Sequence, residues 1–162
     1  MPDVDYIYPT KTKTIRDDFA DHVKRGSVLP GIDLAANTGD KVWATANGVV
    51  ALADANPKQV RGMNVIIRHR DGKESHYLHL SRVDVKNGQR VKARDIIGLA
   101  GNTGTTSTGS HLHFSIKKHG VCVDPAKLLK KEAKERRIAK AAELASVPVD
   151  VPIEETPETV AE

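Results

Sequence analysis

The chain has 162 residues, of which 39% are hydrophobic, 28% charged and 4% aromatic, with a net charge of +4. That length suits one domain with extensions. No stretch is long and apolar enough to span a membrane, and the single cysteine, Cys122, excludes an intrachain disulfide. The scarcity of aromatics predicts an aliphatic core.

Met1-Pro2-Asp3-Val4-Asp5 has neither a basic start nor an apolar run, which argues against a secretory signal peptide and for synthesis as a cytoplasmic chain. Residues 1–16 read as a polar lead-in. Asp17 to His22 is a helix-like or turn segment. Gly31 to Ala35 is a brief apolar stretch closed by a turn at Asn37-Thr38-Gly39-Asp40. Lys41 to Ala44 and Gly48 to Ala53 flank Ala46-Asn47-Gly48, and Asn-Gly is a strong hairpin signal.

Asn64 to His69 alternates and turns through Asp71-Gly72 into Lys73 to Leu80, the clearest hairpin in the chain. Gly88 and the run Val91 to Gly98 suggest another strand pair. A glycine- and hydroxyl-rich loop from Gly101 leads into His111 to Lys117, and a turn at His119-Gly120 precedes a last strand through Val123. Short strands at this spacing predict an all-β domain, a small antiparallel barrel or sandwich, over residues 17–126.

Residues 127–146 are rich in Ala, Glu, Lys, Arg and Leu and predict a basic helix. Residues 147–162 repeat Pro among acids and predict a disordered tail. The basic surplus of the helix, without stacking aromatics, makes a weak nucleic-acid signal, and a solvated appendage is the simpler reading.

The chemistry concentrates in Ser110-His111-Leu112-His113-Phe114. Residues two apart on a strand share a face, so His111 and His113 would address one site while Leu112 and Phe114 enter the core. The plain alternative is two surface histidines on a polar strand. By the same period His79 shares a face with Tyr77 and Ser75, and His76 falls on the other with Leu78 and Leu80, which excludes His76 from the site. Asp33, taken alone, would cap a turn. His69 and His119 read as exposed residues at strand ends, and Cys122 as a small buried residue.

Gly-Ile-Asp-Leu-Ala (31–35), Ala-Asn-Gly-Val-Val (46–50), Tyr-Leu-His-Leu (77–80), Asn-Gly-Gln-Arg-Val (87–91), Ile-Ile-Gly (96–98), Ser-Thr-Gly-Ser-His-Leu-His-Phe (107–114) and Val-Asp-Pro (123–125) stand in a fixed order. Together they resemble the lysostaphin-type zinc endopeptidases of peptidase family M23, which cut peptide bonds in bacterial peptidoglycan. The resemblance spans roughly residues 25–125. It implies the family's barrel-sandwich hybrid fold, zinc ligands at Asp33 and His113, and catalytic histidines at His79 and His111. Gly104, Ser107, Thr108 and Ser110 would line a substrate groove, and a flexible loop explains the same composition.

The family's first ligand histidine is replaced by Leu29, which has no lone pair to offer a metal. His22 is the only other histidine upstream, and nothing in its spacing directs it to the site. Three outcomes stay open: a substitute ligand, a weak two-ligand site, or an inactive relative that keeps a peptide-binding groove. The resemblance thus implies either a peptidoglycan endopeptidase, phage-encoded or otherwise, or a wall-binding or virion structural module. Action would be at the cell wall, after lysis-linked release or as a virion component, with a protein partner engaged through residues 127–162. A lipoyl- or biotin-type carrier, suggested by the hairpin-like residues 85–98, lacks the lysine turn such carriers present.

Overall fold

The computed structural model describes residues 4–105, 107 and 109–129. The expected basic helix and acidic tail lie outside the described residues from position 130 onward. Within residues 125–129 the chain is helical, and no described helix is long and apolar enough to cross a membrane.

Among the described residues, ten strands and one short helix precede the helical residues 125–129: β1 (Ile15–Asp17), α1 (Phe19–Lys24), β2 (Ile32–Ala35), β3 (Lys41–Trp43), β4 (Gly48–Asp54), β5 (Met63–His69), β6 (Lys73–Val83), β7 (Arg90–Val91), β8 (Ile96–Ala100), β9 (His111–Lys118) and β10 (Val121–Val123). All pairings are antiparallel. The main path runs β1-β2-β9-β6-β5-β4-β7, with β10 on β9 and β8 joined to both β3 and β6. The all-β expectation therefore holds.

Two expected pairings do not. The strands flanking Asn47-Gly48 do not form a hairpin: β3 pairs β8, while β4 pairs β5 and β7. Asn47 instead spends its polar groups on distant chain, accepting Ala93 N–H on its side-chain oxygen and a His69 ring N–H on its carbonyl. Likewise β7 and β8, expected to pair with each other, pair with β4 and with β3 and β6. Local turn chemistry was outweighed by long-range ladders. The Asp71-Gly72 hairpin joins β5 and β6 as expected.

The lead-in belongs to the same compact unit as the sheet. Tyr6 and Ile7 are buried, Ile7 N–H donates to Thr45 O, and Trp43 N–H donates to Pro9 O. The core is mostly aliphatic, including Ile32, Leu34, Ile67, Leu80, Ile97 and Leu112, but its largest fully buried side chains are Tyr77 and Phe114, whose ring centroids lie 5.3 Å apart. Tyr6, Tyr77 and Phe114 are the buried aromatics, while Tyr8, Phe19 and Trp43 are partly exposed. Cys122 is only partly buried.

His69, expected to be exposed, is 3% accessible and closes a buried chain of hydrogen bonds. One ring nitrogen meets Asn47 O at 2.8 Å and the other meets Ser75 Oγ at 2.8 Å. Ser75 Oγ lies 2.8 Å from Tyr77 Oη, which accepts Thr45 N–H at 3.0 Å. Sequence alternation could not reveal this, because the donors and acceptors come from separate strands and turns.

Burial pushes the His69 pKa below its ordinary 6.5, and the hydrogen bond to Asn47 offsets only part of that. The folded pKa lies below the unfolded one, so the unfolded chain takes up the proton first as pH falls. The stability that His69 contributes is intact above about pH 6.5 and is lost below it. The melting temperature is expected to fall as pH drops from about 7.5 to about 5.5. A His69→Gln variant should melt lower than wild type at the upper pH and show a shallower pH dependence, as read by circular dichroism.

Candidate metal centre

Strand register assembles the site. Across β2 and β9, Asp33 is the Cα partner of His113, and Ala35 is the partner of His111. Ile32 and Leu34 on β2, with Leu112 and Phe114 on β9, are fully buried in the core. Alternation then sends Asp33, His111 and His113 to the opposite face together. Asp33 Oδ1 lies 2.9 Å from His113 Nδ1 and 3.7 Å from His111 Nε2. The two-residue period of His-Leu-His is thus realised on the strand.

His79 arrives by a different route. In β6, residues up to Leu78 pair with β9, and residues from Leu80 onward pair with β8. His79 stands at this change of partner with φ 65°, and the β5–β6 register carries a bulge there: Met63 partners Leu80 and Val65 partners Tyr77. Both Tyr77 and Leu80 are fully buried in the core, which strict alternation forbids for residues three apart.

The face assignment from sequence period is therefore corrected. Left alone, the period would carry His79 coreward with Tyr77. The bulge instead brings its ring to 5.1 Å from that of His111 and 6.2 Å from that of His113. His76 is occupied elsewhere: its Nε2 meets Glu74 at 3.3 Å, and its place on β6 is opposite Ser115.

Backbone carbonyls orient the rings. A carbonyl can only accept, so each ring nitrogen that meets one carries the proton. His79 Nδ1–H donates to Thr103 O at 2.8 Å, and His111 Nδ1–H donates to Gly109 O at 2.7 Å. Both rings are left with a lone pair on Nε2. His113 is turned the other way: Nε2–H donates to Leu29 O at 2.8 Å and Nδ1 is directed at Asp33. Leu29, which cannot ligate through its side chain, still fixes the His113 ring through its carbonyl. Such outer partners set the tautomer and orientation of metal-binding histidines.

Burial raises the Asp33 pKa, but the close approach of His113 Nδ1 and the neighbouring His111, His113 and His22 rings outweigh it and hold the carboxyl below the usual range. Burial pushes His79 down to about 4.

His22, which nothing in the sequence spacing directs here, is present too. It is the buried residue of α1, with Nε2 3.4 Å from Asp33 Oδ1 and its ring 4.9 Å from that of His113. Ligand atoms of His22, Asp33 and His113 all lie within 4.8 Å of one another. Two imidazoles and a carboxylate are a donor set that zinc accepts. A helical segment ending shortly before the motif was the one available signal, and its direction of approach is not encoded in spacing.

The expected groove residues divide. Ser110 Oγ meets Thr38 Oγ1 at 3.0 Å, and Ser107 Oγ donates to Gly109 O at 3.1 Å. Thr108 lies outside the described residues. Gly104 acts as a packing point: its φ is +97°, and a Cβ there would sit 2.6 Å from Gly62 N and 2.7 Å from Val60 O. Next to it, Thr103 Oγ1 donates to Leu80 O and accepts Met63 N–H at 3.0 Å. The loop that carries the Thr103 carbonyl is thereby locked to residues 57–63.

The antiparallel β domain thus carries an Asp-His pair on adjacent strands with two further histidines beside it, a set of groups that could hold a metal ion. The match of residues 27–125 to Peptidase family M23 places this chain in that family. It is 40% identical over 118 residues to peptidoglycan DD-endopeptidase ShyC of Vibrio cholerae, covering 68% of this chain and 27% of that protein. A zinc-containing peptidase from Vibrio cholerae superposes with a TM-score of 0.64 at 34% identity, covering 74% of this chain and 38% of that one. The catalytic domain of lysostaphin from Staphylococcus simulans superposes with a TM-score of 0.58 at 30% identity, covering 80% of this chain and 90% of that one. The chain spans between about a quarter and two fifths of the length of the curated relatives it matches.

The Gly62–Gly104 contact can be tested against a glycine that shares only the backbone strain. Gly39 has φ +98°, with nothing within 4 Å of where a methyl group would sit. Gly39→Ala is expected to cost about 1–2 kcal/mol from the left-handed backbone alone. Gly104→Ala should cost more, in urea denaturation, and should also shift the His79 imidazole resonances.

Proposed function

We propose that this chain is a zinc-dependent endopeptidase that hydrolyses peptide bonds in bacterial peptidoglycan. The observation that carries the reading is the convergence of Asp33, His113, His79 and His111, drawn from three strands, with each ring oriented by a backbone carbonyl. The names of the V. cholerae DD-endopeptidase and of the antimicrobial peptidase lysostaphin support the substrate class. The site of action in this reading is the cell wall, reached after lysis-linked release or as a virion component.

Zinc at Asp33 and His113 would polarise the scissile carbonyl and lower the pKa of an attacking water toward ~7. The chain's own groups do the rest. The Nε2 atoms of His79 and His111 both carry lone pairs and belong to neighbouring rings. One takes the proton of the attacking water and returns it to the departing amine, while the other, carrying a proton taken from bulk solvent, hydrogen-bonds the reacting centre. The Thr103 and Gly109 carbonyls keep both rings in this tautomer, so no reorientation is needed during the reaction.

The test is digestion of purified cross-linked peptidoglycan, with released peptides identified by mass spectrometry. Cleavage is expected from the zinc-loaded protein, and its loss on chelation should be reversed by added zinc. Asp33→Ala and His113→Ala should lose zinc and activity together. His79→Ala and His111→Ala should keep zinc while the rate falls by about 10²–10⁴. Zinc-loaded protein that binds the polymer without cutting it would replace this reading with a wall-binding module.

A further inference from the structure

Helix α1 is six residues long, and the residue it buries is a histidine. A short surface helix ordinarily buries an apolar stripe. Here Val23 is 52% exposed while His22 is 5% exposed. The helix is defined at both ends. Asp18 caps the start, its carboxylate accepting Asp21 N–H at 2.9 Å. At the other end Gly26 adopts φ 73°, Gly26 N–H donates to Val23 O, and Ser27 N–H donates to His22 O. That is a Schellman ending, which stops the helix at a set residue. An Arg25–Asp17 ion pair ties its last turn back to β1.

Within this frame His22 Nδ1–H donates to Asp18 O at 2.9 Å. Nε2 is left as the lone-pair nitrogen, and it points to the metal centre. Its nearest oxygen there, Asp33 Oδ1, is 3.4 Å away. That is longer than the 2.7–3.2 Å of an ordinary N–H···O bond. It is close to the separation of two tetrahedral ligands on one zinc, whose bonds of 2.0–2.1 Å place their atoms about 3.3 Å apart, whereas Asp33 Oδ1 and His113 Nδ1 stand closer, at 2.9 Å. Asp17 Oδ2, 3.9 Å from Nε2, is already held by Arg25. The ring of His22 packs on His113 from one side, while the ring of His79 lies against those of His111 and His113.

We infer that His22 is the third protein ligand of the metal, supplied by α1 in place of the histidine that Leu29 displaces. The inference rests on the zinc reading above and adds to it a ligand from outside the family motif. The three donors are then His22 Nε2, Asp33 Oδ1 and His113 Nδ1. A three-ligand set leaves one tetrahedral position for water or substrate. The helix caps and the Arg25–Asp17 pair act as positioning groups for the ligand. The metal in turn links α1 to the sheet.

The test is zinc affinity of the full chain by competition with a chromogenic chelator, with the d–d absorption of the cobalt-loaded protein as a second readout. His22→Ala should weaken zinc binding by more than the ~100-fold that loss of an outer-shell partner can cost. It should also change the cobalt spectrum. The double variant Leu29→His/His22→Ala, which restores a histidine at the family position, should recover tight binding and a tetrahedral cobalt spectrum. Melting of the metal-free proteins separates ligation from folding.

Unchanged zinc affinity and cobalt spectrum in His22→Ala, with zinc still lost in Asp33→Ala, would overturn the inference and leave the zinc reading standing. A much lower metal-free melting temperature in His22→Ala, with no recovery of zinc in the double variant, would assign His22 to packing and overturn it as well. Absence of zinc binding by the wild-type chain would overturn both readings.

Discussion

The register that sets Asp33 opposite His113 is the constraint on which the site depends. A one-residue slip between β2 and β9 would turn every side chain on the slipped strand to the other face. Asp33 would enter the core, and Ile32 and Leu34 would both leave it. The hydrophobic pattern of these two strands, with Ile32, Leu34, Leu112 and Phe114 fully buried, therefore holds the polar site in place as well as the fold. Gly31 contributes at the approach to β2. A Cβ there would collide with Phe114 O and Ser115 Oγ, so only glycine allows the 29–31 segment to run this close to β9. That closeness brings the Leu29 carbonyl to the His113 ring.

The second constraint is the change of partner along β6. Its first half completes the ladder with β9, and its second half pairs with β8. An extra residue is accommodated at the junction, and bulges of this kind often re-aim a side chain beside a functional site. His79 takes the left-handed conformation there, its N–H donating to Arg61 O. The strain of a non-glycine residue at positive φ is offset by that bond and by the ring's hold on Thr103 O. Tyr77 and Leu80 can both remain in the core because His79 absorbs the break in alternation.

These arrangements share one device. His22, His79, His111 and His113 each give one ring N–H to a main-chain carbonyl: those of Asp18, Thr103, Gly109 and Leu29. Side chains move between rotamers readily, whereas carbonyls held in strands, turns and capped helices do not. The ring orientations are thus inherited from the backbone, and a metal bound there would meet groups already aimed.

The local sequence was enough to determine the all-β class, the Asp71-Gly72 hairpin, and the shared face of His111 and His113, because strand period and turn chemistry act over a few residues. The ordered motifs likewise marked Asp33 and His79 by family resemblance. Tertiary structure alone decided the rest. The Asn47-Gly48 turn joins strands that pair elsewhere, since long-range ladders offered more hydrogen bonds than a local hairpin. His69 is buried because its partners, Asn47 and Ser75, come from separate segments. His79 reaches the site through a bulge that no alternation rule predicts. His22 lies eleven positions before Asp33, and its place beside that carboxylate is set by where two caps end a helix and how that helix docks. Spacing along the chain records distance in residues; the direction in which a short helix returns to a sheet depends on contacts that exist only after folding.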